Sequence, residues 1–362
     1  MVVGMTSGLA AGTPQTGRVA SAVEREPVRL GVAAEVDALI ERLQVVRTEP
    51  DRDADGTGAP IAAARTRYVP AHPLDLVATL APYARGGDGP CFRRTPDGAW
   101  LTFRTPHGPV TLLIERVGGS IDARAWGPGA EWAIDRVPVL LGADDEWSDI
   151  DLRRSPLLTE VRRRNPGLRL SRAGVVFEFL VPSIIEQKVT TVEAHRAWRM
   201  LVRRHGETAP GPAPAGLVVS PPVERWRMIP SWEWHRAGVG PQRSQTVSRT
   251  SRVASAIERT ADADAAEASA RLMTLPGVGV WTAAEVTVRS HGDPDAVSVG
   301  DYHLASTVGM ALTGAPVDDD GMLELLEPWA GQRQRIVRLI LLSGIRKPRR
   351  GPRATIEDHR FR

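Results

Sequence analysis

The chain has a single cysteine, Cys91, in 362 residues. One thiol excludes a disulfide framework within the chain and any multi-cysteine zinc or iron–sulfur site. No apolar run is long enough to span a bilayer, and no signal peptide is recognisable, so the sequence reads as cytoplasmic. No internal repeat is present. Net charge is small, +3, although the pI is about 9.5. That combination is consistent with a polyanionic partner without proving one. The basic residues are unevenly placed: from Arg333 to the end there are ten, against two acids, Glu357 and Asp358. Such a tail either scans phosphates or is a solvated end. Length and a 42% hydrophobic content leave room for two or three packed domains.

Residues 1–60 are rich in Gly, Ala, Thr, Asp and Arg and read as a disordered extension, with one short helix over 32–45. Residues 61–165 read as an α+β unit. Its elements are a helix over 73–84, strands at 100–104, 110–115 and 121–126, a hairpin turn at Pro106-His107-Gly108, and a helix over 129–141. From 166 to 345 the pattern is all-helical, ahead of a basic tail from 346. Helices are expected at 175–187 (broken by Pro182), 192–205, 223–228, 232–237, 241–259, 265–273 with Asp264 as N-cap, 305–312, 322–329 and 333–342. The fold class is therefore α+β: a small antiparallel sheet with helices, then a helical domain.

The most informative stretch is Leu275-Pro276-Gly277-Val278-Gly279-Val280-Trp281-Thr282, followed by Ser298-Val299-Gly300-Asp301-Tyr302. Pro276 cannot continue a preceding helix, and Gly277 and Gly279 permit backbone angles closed to other residues. A Gly-x-Gly turn opening a helix directs free N–H groups outward, where they can hold a phosphate. Asp301 follows one loop later; in isolation it reads equally as a helix N-cap.

Together these residues closely resemble the helix-hairpin-helix plus Gly-Pro-Asp motif of the DNA base-excision glycosylases, and most nearly the 3-methyladenine DNA glycosylase II subfamily. Asn165-Pro166-Gly167-Leu168-Arg169-Leu170, Ile185-Glu186-Gln187-Lys188-Val189, Gly238-Val239-Gly240 and Glu327-Pro328-Trp329 extend the resemblance. It implies an α+β N-terminal domain ahead of a helical glycosylase domain, double-stranded damaged DNA as partner, a monomer, and a place on the nucleoid. It further implies that Asp301 is the catalytic carboxylate. Gln187, Lys188, Gly277, Val278 and Gly279 would meet DNA, and Trp281, Glu285 and Tyr302 would line the base pocket. Lys188 stands at the position of the family's wedge, which is usually apolar; the alternative is an exposed lysine. Bifunctional relatives carry a nucleophilic lysine two residues after the second hairpin glycine; Trp281 stands there, implying base removal without strand cleavage.

Trp281 has two readings, stacking on a flipped and preferably cationic base or packing the hairpin core. Glu285 replaces a pocket aromatic and either meets the base or points to solvent. Tyr302, despite its place beside Asp301, can also simply pack a helix, and His303 has no assigned role. The resemblance requires no cofactor and implies a monovalent cation on the backbone of Met273, Leu275 and Val278. The four-cysteine iron–sulfur cluster of some relatives is impossible here. Rival readings are a glycosylase for deaminated or oxidised bases, and a helix-hairpin-helix DNA-binding protein without catalysis.

Overall fold

The computed structural model describes residues 64–346. The N-terminal extension with its helix over 32–45, and the basic tail from Lys347 onward, lie outside the described residues. The chain first builds an antiparallel sheet from β1 (Ala64–Tyr68), β2 (Phe92–Thr95), β3 (Gly98–Thr105), β4 (Gly108–Val117) and β5 (Ser120–Trp126), in the order β1-β5-β4-β3-β2. The three expected strands are the centres of β3, β4 and β5. Register is fixed by pairs such as Phe103 with Val110 and Leu112 with Ala125. The hairpin turn is closed by Thr105 Oγ1, which receives His107 N–H at 3.1 Å and donates to Gly108 O at 3.0 Å. β1 and β2 are the sheet edges; their arginine-rich, half-exposed sequences give little hydrophobic signal. Val110 to Ile114 is buried without alternation, because α2 (Ala130–Asp135) and the ribbon of β6 (Glu207–Thr208) and β7 (Val218–Val219) both pack on β4.

Several helices differ from their expected form. The helix over 73–84 contracts to α1 (Leu76–Leu80) and one 3₁₀ turn. The segment 129–141 forms α2 and α3 (Val137–Leu140), divided at Arg136, with Pro138 in the first turn of α3. α4 (Pro156–Arg164), capped by Ser155, is additional. α5 (Phe177–Glu186) is not broken by Pro182 but runs through it. Proline removes one helix bond there, yet its neighbours from Phe179 to Ile185 are all buried, so tertiary packing holds the helix. α6 (Thr191–His205) opens with a capping box of Thr190 and Glu193. α7 (Val223–Met228) and α8 (Ser231–Ala237) follow, and Trp198, Trp226 and Trp234 stack in a row across α6–α8 at 5.8 and 5.9 Å. The expected helix 241–259 divides into α9 (Pro241–Ser251) and α10 (Ala254–Glu258). The division delivers Glu258 to the start of α5, where its carboxylate accepts the N–H groups of Val176 and Phe177 at 3.0 and 2.9 Å.

α11 (Ala265–Met273), α12 (Val280–Ser290), α13 (Leu304–Leu312), α14 (Asp319–Leu326) and α15 (Arg333–Leu342) complete the described chain. One apolar cluster runs continuously from Leu76 through the sheet and α5–α11 to Val286 of α12. A second gathers Leu158, Val161 and Leu168 with residues of α13, α14 and α15. Asp145 links the early and late parts of the chain: one oxygen accepts from Arg335 Nε at 2.7 Å, the other from Leu170 N at 2.7 Å and Trp147 Nε1 at 2.6 Å. The architecture is α+β, as expected.

Candidate DNA-binding and catalytic site

The hairpin is built from α11, the turn 274–279 and α12. Asp264 caps α11 through Glu267 N at 2.8 Å, as expected. Gly277 is glycine for two reasons. Its φ is +93°, and a Cβ would lie 2.5 Å from Thr246 Oγ1 on α9. Gly279 is different. Its φ is −107°, and nothing lies within 4 Å of where a Cβ would be. No intramolecular contact demands glycine there, so the bare backbone is open to an approaching molecule. Among the described residues, no acceptor is bonded to the N–H groups of Gly277, Gly279 or Val280. These amides surround the positive end of the α12 dipole, an arrangement suited to a phosphate. Val278, by contrast, is 5% exposed and its N–H donates to Leu275 O at 3.0 Å, so it shapes the turn from inside. Met273 is exposed and Leu275 half-buried. The turn offers only hard carbonyl oxygens at Met273, Leu275 and Val278 and no carboxylate, a donor set suited to a weakly charged cation.

Gln187 locks this hairpin to the α5–α6 turn. Its Nε2 donates to Gly277 O at 2.9 Å and to Thr282 Oγ1 at 2.8 Å. The next residue, Lys188, is exposed and has φ +55°, the sole non-glycine residue at positive φ among those described. The turn therefore thrusts the lysine outward beside the hairpin.

Asp301 sits half-buried in the turn before α13. Its Oδ1 accepts the N–H groups of His303 and Leu304, both at 2.9 Å. The carboxylate is thus the cap of α13, and Oδ2 is left for another partner. Capping occupies one oxygen only, so it does not exclude a catalytic role for the other. Tyr302 does not pack the helix, contrary to expectation: it is 90% exposed and touches His303 edge-on at 4.7 Å, since the cap turn directs it away from the core.

Trp281 is half-buried and belongs to neither apolar cluster. One turn further, Glu285 does not point to solvent. Its side chain is 14% exposed and both oxygens are engaged, one by Arg289 Nη1 at 2.8 Å and the other by Ser298 Oγ at 2.5 Å. Burial opposes ionisation of Glu285, but Arg289 and the Ser298 hydroxyl outweigh it and hold the carboxyl below the usual range. Arg289 in turn donates to Pro82 O at 3.0 Å, joining α12 to the N-terminal unit. A second buried ion pair, Arg85 with Glu186, lies beside His195. Burial, reinforced by Arg85, Arg199 and Arg289, pushes His195 down to about 3. The spacing of Glu285 and Arg289 was a readable i,i+4 pair; nothing in the sequence pointed to Arg85, Glu186 or His195. Of the arginines in the 241–259 segment, Arg243 is committed to Ile185 O and Gly238 O, while Arg249 and Arg252 are exposed.

No family model matches the chain. Over 168 residues it is 32% identical to a Mycobacterium tuberculosis protein named "Probable bifunctional transcriptional activator/DNA repair enzyme AlkA". The match takes in 45% of this chain and 33% of that protein, so the chain spans about a third of the length of the curated relatives it matches. The 3-methyladenine DNA-glycosylase of Archaeoglobus fulgidus superposes with TM-score 0.63 at 16% identity, covering 76% of this chain and 97% of that one. An 8-oxoguanine glycosylase/lyase of Clostridium acetobutylicum, bound to double-stranded DNA, superposes with TM-score 0.56 at 16% identity, covering 75% and 91%. The chain thus shares its fold with these DNA glycosylases of known structure, and over 168 residues its sequence is similar to AlkA.

Proposed function

We propose that the protein is a monofunctional DNA glycosylase of base excision repair, which flips an alkylated base of the 3-methyladenine or 7-methylguanine type from duplex DNA and hydrolyses its N-glycosidic bond. The observation that carries this reading is Asp301: one oxygen is fixed in the α13 cap and the other is open, close in sequence to a hairpin with unpaired amides. Breaking the bond leaves oxocarbenium character on the sugar, which a held carboxylate stabilises while it orients the attacking water. Trp281 supplies a π-face for a cationic base. It also occupies the position from which bifunctional relatives attack the sugar. The chain contains only two lysines, Lys188 and Lys347, and neither is on α12. The expected product is an abasic site with the strand intact. Gly277 and Gly279 would grip the backbone, Lys188 would enter the gap left by the base, and Gln187 would hold the two together. A monovalent cation on the carbonyls of Met273, Leu275 and Val278 would support the phosphate contact. Tyr302, 90% exposed beside Asp301, would meet the flipped nucleotide.

The test is base release from methylated duplex DNA, resolved by chromatography, for wild type and Asp301→Asn. Asparagine is as good an N-cap as aspartate, so the variant should fold and bind. Its excision should fall by at least about 10²-fold, the scale of losing one preorganised electrostatic group. Equal release by both proteins would remove Asp301 from the role.

One observation favours a second reading. The polar group of Glu285, Arg289 and Ser298 stands where an aromatic would complete a cage for a cation. Release of deaminated or oxidised bases, with methylated DNA left intact, would establish that alternative. Binding without release of any base would point to a protein that keeps the hairpin and has lost catalysis.

A further inference from the structure

The turn bearing Asp301 is tethered at two points by carboxylates from other elements. From inside, Ser298 Oγ donates to Glu285 Oε1 at 2.5 Å, and Glu285 is itself held by Arg289, which reaches the carbonyl of Pro82. From outside, Gly300 N donates at 3.1 Å to Oδ2 of Asp319, the first residue of α14. Gly300 has φ +89°, a conformation that glycine adopts without strain but that its own lack of a side chain does little to lock. The remaining oxygen of Asp319, Oδ1, is buried and makes no hydrogen bond among the described residues. An under-satisfied buried carboxylate oxygen is costly.

We propose that Asp319 and Glu285 are positioning residues which clamp the Ser298–Asp301 turn, one from each side, and thereby fix the reach of the free Asp301 oxygen. The inference rests on the glycosylase reading above. It reassigns Glu285: with both oxygens occupied, it orients the turn instead of reading the base. Catalytic groups displaced by an ångström lose about 10²-fold in rate, so a clamp acting through backbone and hydroxyl contacts has large leverage.

The experiment uses the full chain on a duplex carrying one lesion that wild type excises, with single-turnover rates at saturating enzyme and affinity for an abasic-site duplex measured in parallel. Ser298→Ala cuts the inner tether and spares the Glu285–Arg289 pair. Asp319→Ala cuts the outer tether, and Asp319→Asn keeps an oxygen acceptor for Gly300 N–H. Both alanine variants should lower the single-turnover rate about tenfold or more while affinity stays within about twofold, and Asp319→Asn should recover most of the rate. Should Asp319→Ala fail to fold, Ser298→Ala and Asp319→Asn still carry the test. Rates within about twofold of wild type in Ser298→Ala and Asp319→Ala, with Asp301→Asn inactive, would overturn the clamp and leave the glycosylase reading standing. An impaired Asp319→Ala without rescue by asparagine would also overturn it. Wild type inactive on every lesion would overturn the glycosylase reading and the clamp together.

Discussion

Gln187 donates its side-chain amide to the carbonyl oxygen of Gly277, 90 residues later in the chain. With the second bond to Thr282, one amide joins the α5–α6 turn to the hairpin turn and to α12. Gln187→Ala should destabilise the protein by about 1–2 kcal/mol, the net value of two such bonds. It should also weaken DNA binding, because Lys188 and the hairpin lose their fixed relation. Thermal denaturation and equilibrium binding to an abasic-site duplex measure the two effects separately.

The hairpin glycines should separate stability from binding. Gly277→Ala meets Thr246 and a disfavoured φ, so it should cost about 1–3 kcal/mol of stability. Gly279→Ala meets neither, and its stability should stay within about 0.5 kcal/mol of wild type while DNA affinity falls. Loss of stability without loss of affinity at position 279 would show that this backbone does not face DNA.

Lys188 holds a left-handed backbone conformation at φ +55°. A side chain there costs on the order of 1 kcal/mol relative to glycine. Lys188→Gly should therefore raise the melting temperature slightly. If the side chain fills the gap left by a flipped base, the same variant should bind undamaged and abasic duplexes with nearly equal affinity, whereas wild type prefers the abasic one.

His195 gives the protein an acid-sensitive element. Folded, it stays neutral down to about pH 3; unfolded, it takes up a proton near 6.5. Below that value the unfolded chain binds a proton that the folded one refuses. Its contribution is thus complete above pH 6.5 and is lost progressively as pH falls toward 3, a loss on the order of a few kcal/mol. Unfolding midpoints against pH should fall less steeply for His195→Gln than for wild type over that window.

The sequence made some features readable and hid others for physical reasons. Asp264 with α11, and the glycines with α12, were legible because capping and turn chemistry are local. The same locality misled at Pro182, where burial of the flanking residues overrode a breaker, and over 241–259, where Glu258 is drawn away to cap α5. Strands β1 and β2 escaped because edge strands carry polar residues. At the site, Asp301 was visible from its motif, whereas Asp319 was not, since its contact with Gly300 N–H depends on where α14 lands. Glu285 was noticed as a departure from the family pattern, and its i,i+4 spacing to Arg289 was readable, but Ser298, which occupies its other oxygen, could be found only in three dimensions.

The guanidinium of Arg338 on α15 donates to Ala78 O on α1, across 260 residues of sequence. The cluster that α15 fills also takes in Ala78, Leu158 and Leu168. During synthesis, therefore, the first described helix has no complete seat until the last described one has left the ribosome. At about 5–20 residues per second, that leaves apolar faces of α1 and α4 uncovered for many seconds. The nascent chain should be a client for chaperones until α15 docks, and a premature stop ahead of Arg333 should yield an aggregating species instead of a shorter folded protein.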